Sequence, residues 1–138
     1  MELLRRDNFA SGAPFEEKAG YSRAVRVGSW VLVGGTTSTN PEGVVEGAGD
    51  PYEQTRIVLR KIEEALTRAG ARVSEVVRVR VYVTDISQGQ KILGAYSEWF
   101  KDVKPVLTVA EVSGLARPEH LVEIEAEAVV GSYTPKPR

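Results

Sequence analysis

Two stretches of the chain alternate between apolar and polar residues, which is the spacing of a β-strand with one buried face. In Val76–Thr84 the apolar face consists of four valines: Val77, Val79, Val81 and Val83. The opposite face of that segment carries Arg78, Arg80, Tyr82 and Thr84. In Leu121–Val130 the apolar positions are Val122, Ile124, Ala126, Ala128 and Val130, and the positions between them include Glu123, Glu125 and Glu127. Both segments are predicted strands that cover a core on one side only.

Shorter apolar runs predict three further strands. Arg23–Val27 and Trp30–Gly34 are joined by Gly28-Ser29, and a two-residue connection led by glycine suits a tight hairpin turn. Val106–Val112 is the third, and it precedes the final strand.

Apolar residues spaced by three and four predict two helices. The first follows Asp50, an N-cap residue, with Pro51 at the first helical position and Glu53 at capping-box spacing. Its apolar stripe is Val58, Leu59, Ile62, Ala65, Leu66 and Ala69, and Gly70 ends it. The second runs from about Ser87 to Lys101, before Pro105, with an apolar side of Ile92, Tyr96, Trp99, Phe100 and Val103.

Two helices can cover one face of a sheet of five or six strands, but not both faces. The predicted fold is therefore α+β, a two-layer sandwich in which two helices cover one face of a mixed sheet. If Val76–Thr84 and Leu121–Val130 are neighbours, their arginines and glutamates form a cross-strand ladder of opposite charges. Two interpretations of this charged face stay open: a solvated surface, or burial at a subunit interface where matched charges are tolerated.

Composition narrows the class of protein. The 138 residues include 18 Lys+Arg and 19 Asp+Glu, 42% hydrophobic residues, one histidine and no cysteine. This predicts one soluble domain over residues 1–138, with its core at about 20–130 and a tail at 131–138. The absence of cysteine excludes disulfides and thiolate chemistry, and no metal or cofactor is predicted. Near-neutral charge makes nucleic acid an unfavourable partner, and without a long apolar run or signal-peptide pattern we expect no membrane association and a cytoplasmic location.

Three features are candidates for chemistry. Gly34-Gly35-Thr36-Thr37 lacks the lysine of a phosphate-binding loop; it either offers backbone N–H groups to a small carboxylate or accommodates a strand bend. His120, in the connection before the last strand, is interpreted as a surface-loop residue. The glutamates of Leu121–Val130 supply a general acid or base if one is desolvated, and otherwise form a polar sheet face.

From about Gly20 to Val130 the chain resembles the YjgF/Rid family, known as reactive-intermediate deaminases. The matching segments, in order, are Gly20-Tyr21-Ser22-Arg23-Ala24-Val25, Gly28, Gly34-Gly35, Gln54-Thr55-Arg56, Ala69-Gly70-Ala71, Val76-Val77-Arg78, Val81-Tyr82-Val83-Thr84-Asp85, Tyr96, Phe100 and Leu121-Val122-Glu123-Ile124-Glu125-Ala126. The resemblance implies a chorismate-mutase-like fold and a homotrimer with sheets facing the centre and a cleft between subunits. It also implies that Tyr21, Gly34, Gly35 and Glu123 share that cleft, with Glu123 positioning or activating a water molecule.

The chain departs from the family pattern at two positions. Where deaminating members carry an arginine that grips the substrate carboxylate, in the segment Pro105-Val106-Leu107-Thr108, this chain has Leu107. An aliphatic side chain cannot replace a bidentate guanidinium–carboxylate contact. Leu93 stands where an asparagine is common. We therefore expect a more apolar ligand site that includes Leu93, Leu107 and Thr108, and imine deamination does not follow from the resemblance.

The resulting prediction is a Rid-like protein that binds a small metabolite in an intersubunit cleft. One interpretation is hydrolysis of an imine, enamine or related small substrate with Glu123 as the catalytic residue. The alternative is a non-enzymatic ligand-binding or regulatory module. The endoribonuclease activity attached to the family is disfavoured, because the net charge is close to zero and the chain has no pair of histidines.

Overall fold

The computed structural model describes residues 1–135, which form a six-stranded mixed sheet with helices on one face. The strands are β1 Arg6–Phe9, β2 Ala24–Val27, β3 Trp30–Thr36, β4 Val76–Val83, β5 Val106–Glu111 and β6 Val122–Val129. The helices are α1 Pro14–Ala19, α2 Pro51–Arg68 and α3 Gly89–Phe100, with single 3-10 turns at Val73–Glu75 and Ile86–Gln88. The strand order is β1-β2-β3-β6-β4-β5, in which β4 and β5 are parallel and all other pairs are antiparallel. The predicted fold class is confirmed.

Helix α2 forms for the reasons its sequence indicates. The Asp50 carboxylate accepts a hydrogen bond from the Glu53 N–H at 3.0 Å, and Pro51 occupies the first helical position. Gly70 adopts a φ of 84°, a left-handed conformation that favours glycine and ends the helix. The apolar stripe is buried against β3 and β6. Within residues 1–135, no helix is both long and apolar enough to cross a bilayer.

The charge ladder on the uncovered face of the sheet is present as predicted, because β4 and β6 are neighbours. Arg78 pairs in register with Glu127, and Arg80 with Glu125. The Arg80 guanidinium lies 3.2 Å from a Glu125 carboxylate oxygen and 3.3 Å from one of Glu127. Glu123, at the end of the ladder, has Tyr82 as its cross-strand neighbour instead of an arginine.

The structure differs from the predicted elements at the start of the chain. Strand β1 and helix α1 were not predicted, because the four residues of β1 and the six of α1 are too short to show a clear periodicity. The former is an edge strand paired only with β2. At the other end, Gly131–Pro135 contains no helix or strand, and residues 136–138 of the predicted tail lie outside the described residues.

The face assigned to Val77 was wrong. The register between β4 and β6 shifts between Val76 and Arg78, which is the signature of a β-bulge. As a result Val76 is buried, whereas Val77 is 38% exposed. The alternation holds from Val79 onward, and strict alternation in the sequence carries no sign of the inserted residue.

The prediction of a surface histidine was also wrong, because His120 is only 3% exposed. The Arg117 N–H donates to His120 Nδ1 at 3.3 Å, so the proton of the neutral ring is on Nε2, which donates to Thr39 Oγ1 at 2.6 Å. Beside it, the Gln54 side chain donates to the Glu119 carbonyl at 2.8 Å and accepts from the Leu121 N–H at 2.9 Å. These bonds join the loop after β3, helix α2 and the entry to β6.

The buried His120 predicts a loss of stability in acid. Burial lowers the pKa of His120, assisted by the positive charges of Arg117 and Lys61 and opposed by Glu119. The folded protein holds the ring of His120 neutral. The contribution of His120 to the free energy of unfolding is therefore fully present above the unfolded-state pKa of about 6.5, and it is lost as the pH falls through the lower folded-state pKa. His120→Gln should therefore reduce the free energy of unfolding at pH 7 by about 1–2 kcal/mol.

The measurement is urea unfolding of wild type and His120→Gln at several pH values between 7 and 4. The difference in the free energy of unfolding between the two proteins should shrink as the pH falls, because His120 becomes protonated. The other titrating groups are present in both proteins, so their contributions cancel. A difference that is the same at every pH would contradict the neutral, buried state of His120.

Candidate functional site

The candidate site is built around a bulge in β3 at Gly34 and Gly35. The register of β3 against β6 shifts between Val33 and Thr36, so the two glycines accommodate a strand bend, one of the two interpretations that the sequence left open. A Cβ atom built on Gly35 would collide with Glu123 Oε2 and lie 3.1 Å from Glu123 Cδ. The carboxylate of Glu123 therefore rests directly on the backbone of the bulge, which only glycine permits at position 35.

Arg23 secures the bulge from the neighbouring segment. Its Nη1 donates to the Gly35 carbonyl at 2.7 Å, to Thr36 Oγ1 at 2.8 Å and to the Gly34 carbonyl at 3.3 Å. The Gly34 N–H in turn donates to the Arg23 carbonyl at 2.9 Å. A single guanidinium nitrogen thus binds three successive residues of β3, just beside the Glu123 carboxylate.

Lys61 lies behind the site and holds the chain that leaves β3. Its ammonium donates to the Thr37 carbonyl at 2.5 Å and to the Thr39 carbonyl at 2.9 Å. Burial lowers the pKa of Lys61, and the nearby charge of Arg23 lowers it further, whereas Glu46 and Glu64 oppose the shift. The ammonium is therefore a structural cation directed at backbone carbonyls.

Glu123 has the electrostatics of a proton-transfer group. Burial raises the pKa of Glu123, the positive charge of Arg23 partly offsets that rise, and the negative charge of Glu125 adds to it. Two other carboxylates behave in the opposite way, because hydrogen bonds lower the pKa of Glu75 and of Asp85. A carboxyl whose pKa is raised toward neutrality is suited to accept and return a proton during a reaction.

Some of the predicted site residues lie close together within one chain. Glu123, Gly34 and Gly35 meet at the bulge, and Tyr21, 49% exposed, lies two residues before Arg23. Within residues 1–135, no group of three or more histidine, aspartate or glutamate side chains is arranged to hold a metal ion.

Leu93, Leu107 and Thr108 lie elsewhere in the chain. Strand β4 separates β5, which carries Leu107 and Thr108, from β6 and Glu123. In addition, Leu107 pairs with the buried Val79 and so faces the helix side of the sheet, whereas Thr108 pairs with Arg80 on the uncovered face. Leu93 is on α3 and 40% exposed, and Leu107 is 38% exposed.

Sequence reasoning assigned no role to Arg23 or Lys61. A signal for Lys61 was present: it lies three residues after Val58 and four before Ala65, so it interrupts the buried stripe of α2. Arg23 fell within a matching segment, but its position next to Gly34–Thr36 depends on the pairing of β2 with β3 and on the bulge. The sequence indicated the hairpin between these strands and offered a bend at the glycine pair, but it did not indicate the register that brings the Arg23 side chain onto Gly34–Thr36.

Comparison with known proteins agrees with the fold. Residues 12–130 match the family model described as endoribonuclease L-PSP. A RutC family protein from Pyrococcus abyssi is 39% identical over 108 residues, which cover 78% of this chain and 84% of that protein. The Streptomyces coelicolor protein SCO2049 is 37% identical over 131 residues, covering 95% and 96% of the two chains.

Solved structures agree with these matches. The crystal structure of Rv2704 from Mycobacterium tuberculosis, a member of the YjgF/YER057c/UK114 family, is 44% identical, with a TM-score of 0.83. The match covers 91% of this chain and 100% of Rv2704. The structure of PA3499 from Pseudomonas aeruginosa is 32% identical, with a TM-score of 0.80, and the match covers 94% and 95% of the two chains. The chain therefore belongs to the endoribonuclease L-PSP family, whose members include the YjgF/YER057c/UK114 proteins.

Proposed function

We propose that the protein binds a small, mostly apolar metabolite beside Glu123 and hydrolyses it, with Glu123 as the general acid or base. The observation that carries this proposal is the carboxylate of Glu123 resting on Gly35 with its pKa raised by burial. A carboxyl in that state transfers protons near neutral pH more readily than an exposed one. Water is the second reactant, and Glu123 positions it and accepts its proton.

The proposed substrate class follows from Leu107. A substrate carboxylate needs a fixed cationic partner, and the position at which relatives of the deaminating type carry arginine is an exposed leucine here. Of the cations near the bulge, Lys61 is committed to two backbone carbonyls, and Arg23 Nη1 to the carbonyls of Gly34 and Gly35. An imine, enamine or related molecule with an apolar body suits this site better than a free amino-acid derivative.

The proposed assembly is a homotrimer in which the uncovered faces of the sheets meet. That face exposes three large apolar side chains: Trp30 at 49%, Leu32 at 42% and Val106 at 58%. Its arginine at position 80 is already paired with two glutamates of the same chain, so burying the ladder leaves few unmatched charges. Within one chain Leu93 and Leu107 are separated from Glu123, so the proposal requires them to approach the Glu123 of a neighbouring copy at the rim of this contact, beside the edge strand β5.

The cytoplasmic location expected from the sequence stays a prediction. A non-enzymatic binding module would use the same cleft. Measuring the activity of Leu107→Arg separates such a module from a hydrolase.

Leu107→Arg should create hydrolysis of a 2-aminoacrylate-type imine, measured as ammonia release, where wild type shows little or none. The reason is that a guanidinium supplies the bidentate contact which leucine lacks. Leu107→Lys is the matched control, because it adds charge without the planar fork, and it should gain less. Adding Glu123→Gln to Leu107→Arg should reduce the new activity by about 10²–10⁴-fold.

Wild-type hydrolysis equal to that of Leu107→Arg would refute the role given to Leu107. If Glu123→Gln left the activity of Leu107→Arg unchanged, Glu123 would have no catalytic role. An inactive Leu107→Arg protein would favour the binding module.

Gly35→Ala and Gly34→Ala form a matched pair that tests the contact between Glu123 and the bulge. At position 35 the new Cβ collides with the Glu123 carboxylate, whereas at position 34 its nearest neighbour is the Arg23 carbonyl oxygen at 3.5 Å, an ordinary contact. Crystal structures should show the Glu123 side chain displaced only in Gly35→Ala. Since a flexible side chain can move away, unfolding free energies of both variants should lie within about 1 kcal/mol of wild type. An unmoved Glu123 in Gly35→Ala would contradict the geometry.

Sedimentation equilibrium tests the proposed trimer. The expected mass is three times the 15.1 kDa of the chain. Leu32→Asp, on the uncovered sheet face, should dissociate the assembly, because it would bury a charge without a partner. Tyr52→Ala, which alters an exposed aromatic residue of α2, should leave it intact. A wild-type monomer at micromolar concentration would overturn this part of the proposal.

A further inference from the structure

The cation next to Glu123 is bound to backbone and not to a carboxylate. Arg23 is half-buried, and its Nη1 is held by the Gly34 and Gly35 carbonyls and by Thr36 Oγ1. Among residues 1–135, every ion pair involves other side chains, so no carboxylate contact neutralises this guanidinium. Its full charge therefore acts through space on its surroundings.

The bulge needs this contact. Two adjacent carbonyls, those of Gly34 and Gly35, converge on one nitrogen, and the Thr36 hydroxyl that also binds it donates in turn to the Gly34 carbonyl at 2.8 Å. A glycine pair is otherwise free to adopt many conformations, so the guanidinium restricts the segment on which Glu123 rests.

We propose that Arg23 is the positioning residue of the site: it fixes the Gly34–Thr36 bulge beneath Glu123 and presents to that carboxyl a positive charge that no carboxylate of its own chain pairs with. This inference rests on the proposed role of Glu123 as the proton-transfer group. It assigns a function to a side chain that touches neither water nor substrate in the reaction, and that acts only through the bulge and through its electric field.

Of the charged groups that act on Glu123, Arg23 is the one that stabilises the ionised carboxylate. On its own strand Glu125 repels it, although that carboxylate is bound by Arg80 and by the Tyr82 hydroxyl at 2.8 Å. From β4, Tyr82 is the cross-strand neighbour, and its hydroxyl is uncharged at neutral pH because the ordinary pKa of tyrosine is about 10; its hydrogen bond to Glu125 and burial raise that pKa further. The contribution of Arg23 opposes both the burial of Glu123 and the charge of Glu125.

The positive charge of Arg23 also acts on Lys61. The positive charge of Arg23 lowers the pKa of Lys61 and also lowers that of Glu123, although burial shifts these two groups in opposite directions. Removing the charge should consequently raise both pKa values. If Arg23 were only a structural support, its loss would admit water, and the pKa of Glu123 would fall toward its ordinary value while that of Lys61 rose. The direction of the change at Glu123 thus separates the two roles.

The experiment is a pH titration of the Glu123 side-chain carboxyl carbon by NMR in wild type, Arg23→Gln and Arg23→Lys. Glu123→Gln assigns the resonance. The pKa of Glu123 should rise by about one pH unit in Arg23→Gln, the size of effect that a nearby opposite charge has. In Arg23→Lys, which keeps the charge and can donate to the same carbonyls, it should return most of the way to the wild-type value.

Arg26→Gln is the matched control, because Arg26 is also a half-buried arginine next to the same hairpin, but it donates to the Ala69 and Gly28 carbonyls. It should leave the titration of Glu123 unchanged. A fall or no change of the Glu123 pKa in Arg23→Gln would overturn the proposal.

This test does not depend on turnover. If the pKa of Glu123 rises in Arg23→Gln but Glu123→Gln leaves catalysis unchanged, the proposed function is refuted and the electrostatic role of Arg23 stands. If Glu123→Gln abolishes catalysis but the pKa of Glu123 does not rise in Arg23→Gln, only the role of Arg23 is refuted.

Discussion

The candidate site depends on the contact between the Glu123 carboxylate and the backbone of Gly35. A carboxylate approaches a strand this closely only where the strand has no side chain, and it is partly desolvated only because β3 and β6 lie side by side. The bulge that removes Gly34 and Gly35 from regular pairing makes room for the contact. Arg23 on one side and Lys61 on the other hold the chain around it by binding backbone carbonyls.

The rest of the sheet sets the chemical character of that contact. Along β6 the carboxylates of Glu125 and Glu127 both pair with Arg80 and so contribute to cohesion of the sheet, whereas Glu123 lies opposite Tyr82. One strand therefore carries two paired carboxylates and one with a raised pKa. The residue type is the same at all three positions, so the difference arises from the surroundings: burial raises the pKa of Glu123, and its cross-strand neighbour is Tyr82 instead of an arginine. Combined with leucine at position 107, this favours proton transfer over anion recognition.

Much of the fold could be predicted from the sequence, because alternation and capping are local signals. The helix after Asp50, the face carrying Arg78, Arg80 and three glutamates, and the two-layer arrangement all followed from spacing. A bend at Gly34-Gly35 was one of two interpretations that the sequence left open, whereas the bulge in β4, which exchanged Val76 for Val77 in the core, could not be predicted. His120 was assigned to the surface because it lies in a connecting segment. The sequence does not show which other loops cover that segment in the folded chain. In the site, glutamate and the glycine pair were identified, but Arg23 and Lys61 acquire their roles from strand pairing and a helix face, which are tertiary features.

The central claim is that Glu123 is a partly desolvated carboxyl that holds its proton to a higher pH than an exposed glutamate. Its most direct test is the titration midpoint of the Glu123 carboxyl carbon in the unaltered wild-type protein. We expect a pKa above the ordinary glutamate value of about 4.3, because burial outweighs the charge of Arg23. A midpoint at or below that value would contradict it, since Glu123 would then be one more ionised carboxylate on a charged sheet face.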